Sequence, residues 1–204
     1  MSEKSMLKRS LRLSDEVFGC VWYRKLYHFV AGSILLAAIV ILTANWLAAF
    51  CIVWILMFWA MTGRISTAVL GVLLLYILTA SKLTVMGAAT IFVVGDGMSA
   101  LVGSAFGGRK WPWSDQKTIL GSVAFFVGAT FAMHSLLSVL IQDALHYRLL
   151  LGVLPSVIGG LAEAMPVTLV RDIRDSKPDD NLLVILSSGA SLHWLITYLR
   201  IEGI

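Results

Sequence analysis

The segment that decides the fold runs from Val85 to Phe106, VMGAATIFVVGDGMSALVGSAF, an apolar run of membrane-spanning length interrupted by one carboxylate, Asp96. About 20 helical residues at 1.5 Å each cross the roughly 30 Å hydrocarbon core of a bilayer, and this run is that long. A carboxylate inside such a segment is costly unless it lines a polar cavity or binds a cation, which makes Asp96 a functional-site candidate.

The rest of the chain has the same character. Hydrophobic residues make up 58% of the 204 and charged residues 14%, and the mean hydropathy is +0.86. Soluble domains use roughly 45–50% apolar residues, so an integral membrane protein is expected. Apolar runs predict seven spans: His28 to Thr43, Trp46 to Met61, Ser66 to Ala80, Val85 to Phe106, Thr118 to Ile141, Leu149 to Val170, and Leu182 to Leu199. The third is short, and the Thr62-Gly63-Arg64 break before it leaves a re-entrant pair, and hence six spans, as the alternative. The fold class is therefore all-α, a polytopic helix bundle in one transmembrane domain over residues 26–204, with no room for a separate soluble domain.

Residues 1–25 carry Lys4, Lys8, Arg9, Arg12, Arg24 and Lys25, with Leu7, Leu11, Ser14 and Phe18 spaced along one helical face. This reads as a basic amphipathic segment on the inner leaflet rather than a cleaved signal peptide. Counting Lys and Arg puts that end in the cytoplasm, together with the connections holding Arg64, then Arg109, Lys110 and Lys117, then Arg171, Arg174 and Lys177. Trp22, Trp59, Trp111 and Trp113 fall near the inner boundary and Trp46 near the outer one, as an aromatic belt does. Cys20 and Cys51 resemble neither a disulfide nor a metal framework.

On this topology the unusual polar residues gather at one membrane face. Arg24, Lys25 and His28 open the first span, Lys117 and Thr118 the fifth, and Asp179, Asp180 and Asn181 the seventh. Asp96 precedes Arg109 by about 13 residues and Glu163 precedes Arg171 by about 8, depths of roughly 20 Å and 12 Å along a helix. Gly95, Gly97, Gly103, Gly107 and Gly108 permit breaks in the fourth span, which would then end near Gly107. The outer halves of the spans look nearly featureless, and His134 and His193 read as packed or hydrogen-bonded histidines. Carboxylates such as Asp96, Glu163 and Asp180, with Asn181, are hard oxygen ligands suited to Mg²⁺, whereas Arg24, Lys25, Arg109, Lys110 and Lys117 suit phosphate. Thr118, Gly121 and Ser122 follow Lys117 at a helix start, where free N–H groups favour an anion. The glycine spacing of a Walker loop is missing.

The motifs Arg24-Lys25-x-x-His28, Gly95-Asp96-Gly97-x-Ser99-Ala100-x-x-Gly103-x-x-Phe106-Gly107, Lys117-Thr118-x-x-Gly121-Ser122, Ala162-Glu163-x-x-Pro166 and Asp180-Asn181-Leu182 stand in an order that resembles the dolichol kinase, phytol kinase and CTP-dependent diacylglycerol kinase family. The likeness spans about Trp22 to Ser188. Leu120 stands where family members commonly carry an acidic residue, and the proline that often follows the Asp-Asn-Leu run is missing. The resemblance implies transfer of a γ-phosphate, typically from CTP (or ATP), to the hydroxyl of a lipid alcohol: an isoprenoid alcohol of phytol, farnesol or polyprenol type, or diacylglycerol. It marks Arg24, Lys25, Asp96 and Gly103 as positions on which activity depends.

The expected site then has Asp96, Lys117, Arg24 and Lys25 as catalytic groups and Asp96, Glu163 and Asp180 around Mg²⁺. Gly95, Gly103, Arg109, Lys110, Lys117, Thr118, Gly121, Ser122 and Asn181 are assigned to the nucleotide, and His28 and Ser99 to the lipid substrate. Its partners are the lipid alcohol, the nucleoside triphosphate and membrane lipids, with no nucleic acid; the oligomeric state is open. Two other classes stay open: a phosphatidate cytidylyltransferase-like enzyme attacking at the α-phosphate, and a small-molecule transporter, which calls for polar groups toward both membrane faces.

Overall fold

A computed structural model describes residues 30–62, 66–114, 117–140, 145–165, 170–171, 178–179 and 181–199. Among the described residues there are seven helices: α1 Val30–Ile41, α2 Ala44–Thr62, α3 Thr67–Thr79, α4 Lys82–Phe106, α5 Ile119–Leu140, α6 Leu145–Ala164 and α7 Asn181–Tyr198. A two-residue antiparallel ladder, β1 Val170–Arg171 with β2 Pro178–Asp179, lies between α6 and α7. The helices α4, α5, α6 and α7 are long and apolar enough to cross a membrane, while α1, α2 and α3 contribute shorter apolar stretches.

α4 is the axis of the bundle and packs on α3, α5, α6 and α7, while Gly32 brings α1 against its Val93. That explains its composition. Its first half, Leu83 to Val93, is buried on every face, and a helix enclosed by neighbours on all sides is apolar all round. Small residues set how close those neighbours come. A Cβ on Gly95 would stand 2.7 Å from the ring of Phe125, and one on Gly87 would meet Leu192 at 2.4 Å. In lipid, where apolar burial alone does not drive helices together, such close van der Waals packing holds a bundle. Facing outward, Ile41, Ile77, Leu78, Phe131 and Val139 are exposed, which suits an acyl-chain solvent.

This geometry bears out one expectation and corrects another. The fourth span is one unbroken helix of 25 residues ending at Phe106, before Gly107, as expected, and about 37 Å long; at Gly95 the Phe125 ring fills the space the missing side chain leaves. The chain turns only at Gly107 (φ 60°) and Gly108 (φ 105°), a left-handed conformation that other residues adopt at a cost. The sixth helix begins at Leu145 and ends at Ala164, several residues ahead of the apolar run. Consequently Glu163 sits at the last turn of α6, and the roughly 12 Å counted along a continuous helix to Arg171 does not apply. The third apolar run forms a helix of its own, α3, seated on α7 and α4.

Candidate functional site

The loop joining α4 to α5 is a folded hairpin. Lys110 and Thr118 form an antiparallel bridge, flanked by bonds from Ile119 N–H to the Arg109 carbonyl (2.9 Å) and from Trp111 N–H to the Lys117 carbonyl (3.1 Å). At its tip Ser114 Oγ accepts from the Lys117 N–H at 3.1 Å. The hairpin delivers Thr118 to the start of α5, where its hydroxyl accepts the Gly121 N–H at 3.0 Å and so caps the helix N-terminus.

Here α4 and α5 approach closely because glycines face each other. The position of a Gly103 Cβ lies 3.1 Å from Thr118 Oγ1 and 3.7 Å from the Gly121 Cα; that of a Gly121 Cβ lies 3.2 Å from the Ser99 carbonyl. With no side chains between the backbones, Ser99, Thr118 and Lys117 gather beside the end of α6. Lys117 Nζ donates to Glu163 Oε1 at 2.7 Å, the carboxylate nearly buried and the lysine side chain 28% exposed. Ser99 Oγ donates to the same oxygen at 3.3 Å. The other oxygen, Glu163 Oε2, is buried and accepts no hydrogen bond among the described residues. A buried carboxylate oxygen without a donor is expensive, and a water, a cation or a substrate donor reaching it would offset that cost.

Asp96 lies one turn deeper on the same helix. Residues 96, 99 and 103 recur at the i, i+3, i+7 spacing of a single face, and Asp96, ten residues before Phe106, is about 15 Å from that end of α4. Its face borders the one on which Val93 meets Gly32 near the start of α1. Arg24, Lys25 and His28 precede α1 and lie outside the described residues, as does Asp180. Asn181 opens α7, half-buried. Among the described residues no three His, Cys, Asp or Glu side chains converge as a metal cluster.

Several sequence-predicted residues have structural employment. Gly95 is occupied in packing Phe125. Ser122 Oγ accepts the Trp111 indole N–H at 2.9 Å, which ties that hydroxyl to the loop. Arg109 and Lys110 are exposed on the hairpin strand. Sequence reasoning treated Trp111 and Trp113 only as interfacial residues, whereas they stack at 4.9 Å between centroids, and Trp113 Nε1 donates to the Ala164 carbonyl at 2.8 Å.

The far half of the bundle is less featureless than the sequence suggested. Thr84 Oγ1 and His193 Nδ1 lie 3.4 Å apart, in keeping with a hydrogen-bonded His193. Thr130 Oγ1, His134 Nδ1 and Arg148 Nε are buried without partners among the described residues where Gly152 of α6 packs on the Thr130–His134 turn of α5. Compared with models of known protein families, with curated proteins and with solved structures, the chain matches none.

Proposed function

We propose that this chain is a seven-span membrane lipid kinase, its N-terminus in the cytoplasm, which transfers the γ-phosphate of a nucleoside triphosphate, CTP by preference, to the hydroxyl of an isoprenoid alcohol or diacylglycerol. The observation that carries the reading is the grouping of Lys117, the capped N-terminus of α5, Ser99 and Glu163 at one end of the bundle, on the helix stripe that continues to Asp96. A cation beside the positive end of a helix dipole suits a polyphosphate; carboxylates one turn away suit a hydroxyl or a metal. The motif order, similar to the polyprenol and diacylglycerol kinases, supports the same reaction.

In the transfer the lipid oxygen attacks the γ-phosphorus in line, the bond from the γ-phosphorus to its bridging oxygen breaks, and the nucleoside diphosphate departs with the electron pair. Asp96 orients the lipid hydroxyl and takes its proton, or holds Mg²⁺. Lys117 exchanges its contact with Glu163 for phosphate oxygens, and Arg24 and Lys25 neutralise the outer phosphates. The donor chemistry fits Mg²⁺: Asp96, Glu163 through its unengaged oxygen, and Asp180 are hard ligands, and this ion commonly takes only one or two protein carboxylates beside substrate phosphates. Bound there, it would supply charge neutralisation on the triphosphate. The lipid tail remains among the helices, which keeps the hydroxyl at the boundary.

The buried polar groups at Thr130, His134 and Arg148 favour a second reading, a transporter with polar positions toward both faces. One assay separates these. Protein in nanodiscs with Mg²⁺ is given γ-labelled or α-labelled CTP, or ATP, against phytol, farnesol, a long polyprenol and diacylglycerol. Label passing from the γ-position to a lipid is the expected result. Label passing only from the α-position moves the reading to a cytidylyltransferase-like enzyme, and no labelled lipid from any pairing removes the enzymatic reading in favour of transport.

A further inference from the structure

The Trp111–Trp113 pair has features that interfacial anchoring leaves unexplained. An indole anchoring a protein at a membrane surface turns its N–H to water and headgroups. Here both N–H groups are spent on the protein: Trp111 on Ser122 in the first turn of α5 (2.9 Å), Trp113 on the Ala164 carbonyl at the end of α6 (2.8 Å). The rings are nearly coplanar in direction, 16° apart at 4.9 Å, and the hairpin backbone beneath them is bonded on both strands. The result is a two-ring slab fixed in orientation, with Trp113 still 51% exposed. Its two anchors bracket the candidate site, since Ala164 follows Glu163 in sequence and Ser122 lies one turn from Thr118.

We infer that Trp113, backed by Trp111, is the surface on which the base of the nucleoside triphosphate stacks while Lys117 and the start of α5 hold its phosphates. This rests on the kinase reading for the nucleotide's role, though base stacking itself needs only that the nucleotide binds. A rigid exposed ring suits a base because the entropy of ordering the side chain is already spent in folding, and a flat π-face accepts any base. The pairing of the two indoles keeps Trp113 from collapsing onto the bundle when the site is empty.

The test uses the full-length protein in nanodiscs. The KM for CTP and its equilibrium binding without acceptor are measured for wild type, Trp113→Phe and Trp113→Ala, beside inhibition by inorganic tripolyphosphate, which has no base. Loss of one stacking face is expected to raise KM and Kd for CTP about tenfold in Trp113→Ala, with kcat falling much less. Trp113→Phe, which keeps a ring while losing the N–H bond, retains most of the affinity, and tripolyphosphate inhibits all three alike. The inference is overturned if wild type transfers phosphate but Trp113→Ala binds CTP as tightly, or if tripolyphosphate inhibition weakens in step with CTP binding, which indicates general distortion. Tryptophan-dependent CTP binding without phosphoryl transfer overturns the kinase reading alone; no CTP binding by wild type overturns both.

Discussion

Removing the two partners of the Lys117–Glu163 pair has unequal consequences. The ion pair is short, 2.7 Å, and its burial is lopsided: the Glu163 side chain is 5% exposed and that of Lys117 is 28% exposed. Lys117→Met leaves a carboxylate with one oxygen already unpartnered and only the Ser99 hydroxyl, at 3.3 Å, on the other. A buried charge deprived of its partner costs about 3–5 kcal/mol; because the Ser99 hydroxyl still donates to Glu163, the low end, about 3 kcal/mol, is expected. Glu163→Gln keeps an acceptor for both donors and leaves the lysine partly in contact with solvent, at a cost of about 1 kcal/mol. In Lys117→Met/Glu163→Gln no buried charge is left, so the double variant recovers most of the Lys117→Met loss, with a coupling of about 2–3 kcal/mol. Equilibrium unfolding in mixed micelles, titrated with SDS and followed by tryptophan fluorescence, measures all four proteins. Were Lys117→Met no costlier than Glu163→Gln, or the two losses simply additive in the double variant, the pair would not have the burial described here.

Asp96→Asn is expected to abolish lipid phosphorylation while expression, membrane insertion and the unfolding midpoint stay near wild type; turnover within a few-fold of wild type removes Asp96 from the reaction. Gly95→Ala forces a methyl group against the Phe125 ring, at 2.7 Å, and should destabilise by about 1–3 kcal/mol, with Phe125→Leu in the same chain restoring part of the loss in the same unfolding assay. Thr118→Ala removes the cap on α5 and should cost about 1 kcal/mol, whereas Thr118→Ser, which keeps the hydroxyl, should cost little.

Helix positions were legible wherever an apolar run coincided with a spacer of polar or glycine residues, as at Ser81 before α4 and Gly107 after it. They were misjudged at α6, where His146 and Arg148 lower the local hydropathy although the helix already runs through them. The continuity of α4 was hidden for a different reason. Glycine weakens a helix by about 1 kcal/mol in isolation, and nothing local reveals that Phe125, thirty positions on, fills the gap. Of the site, Lys117, Thr118, Gly103 and Gly121 were read from their residue types, and the structure adds how the glycines bring them together. The Ser99–Glu163 contact and the bond from Trp113 to the Ala164 carbonyl depend on long-range register, which no spacing along one segment encodes. Arg24, Lys25, His28 and Asp180 lie outside the described residues.

The hairpin between α4 and α5 gives the site a place in the order of biogenesis. Two of its tethers, Lys117 to Glu163 and Trp113 to the Ala164 carbonyl, end on α6, a helix synthesised later than the hairpin itself. A nascent chain released into the bilayer with only α4 and α5 inserted holds the hairpin and its bonds to α5 but neither of these two tethers. On the proposed kinase function, the completed site therefore waits for α6 to dock.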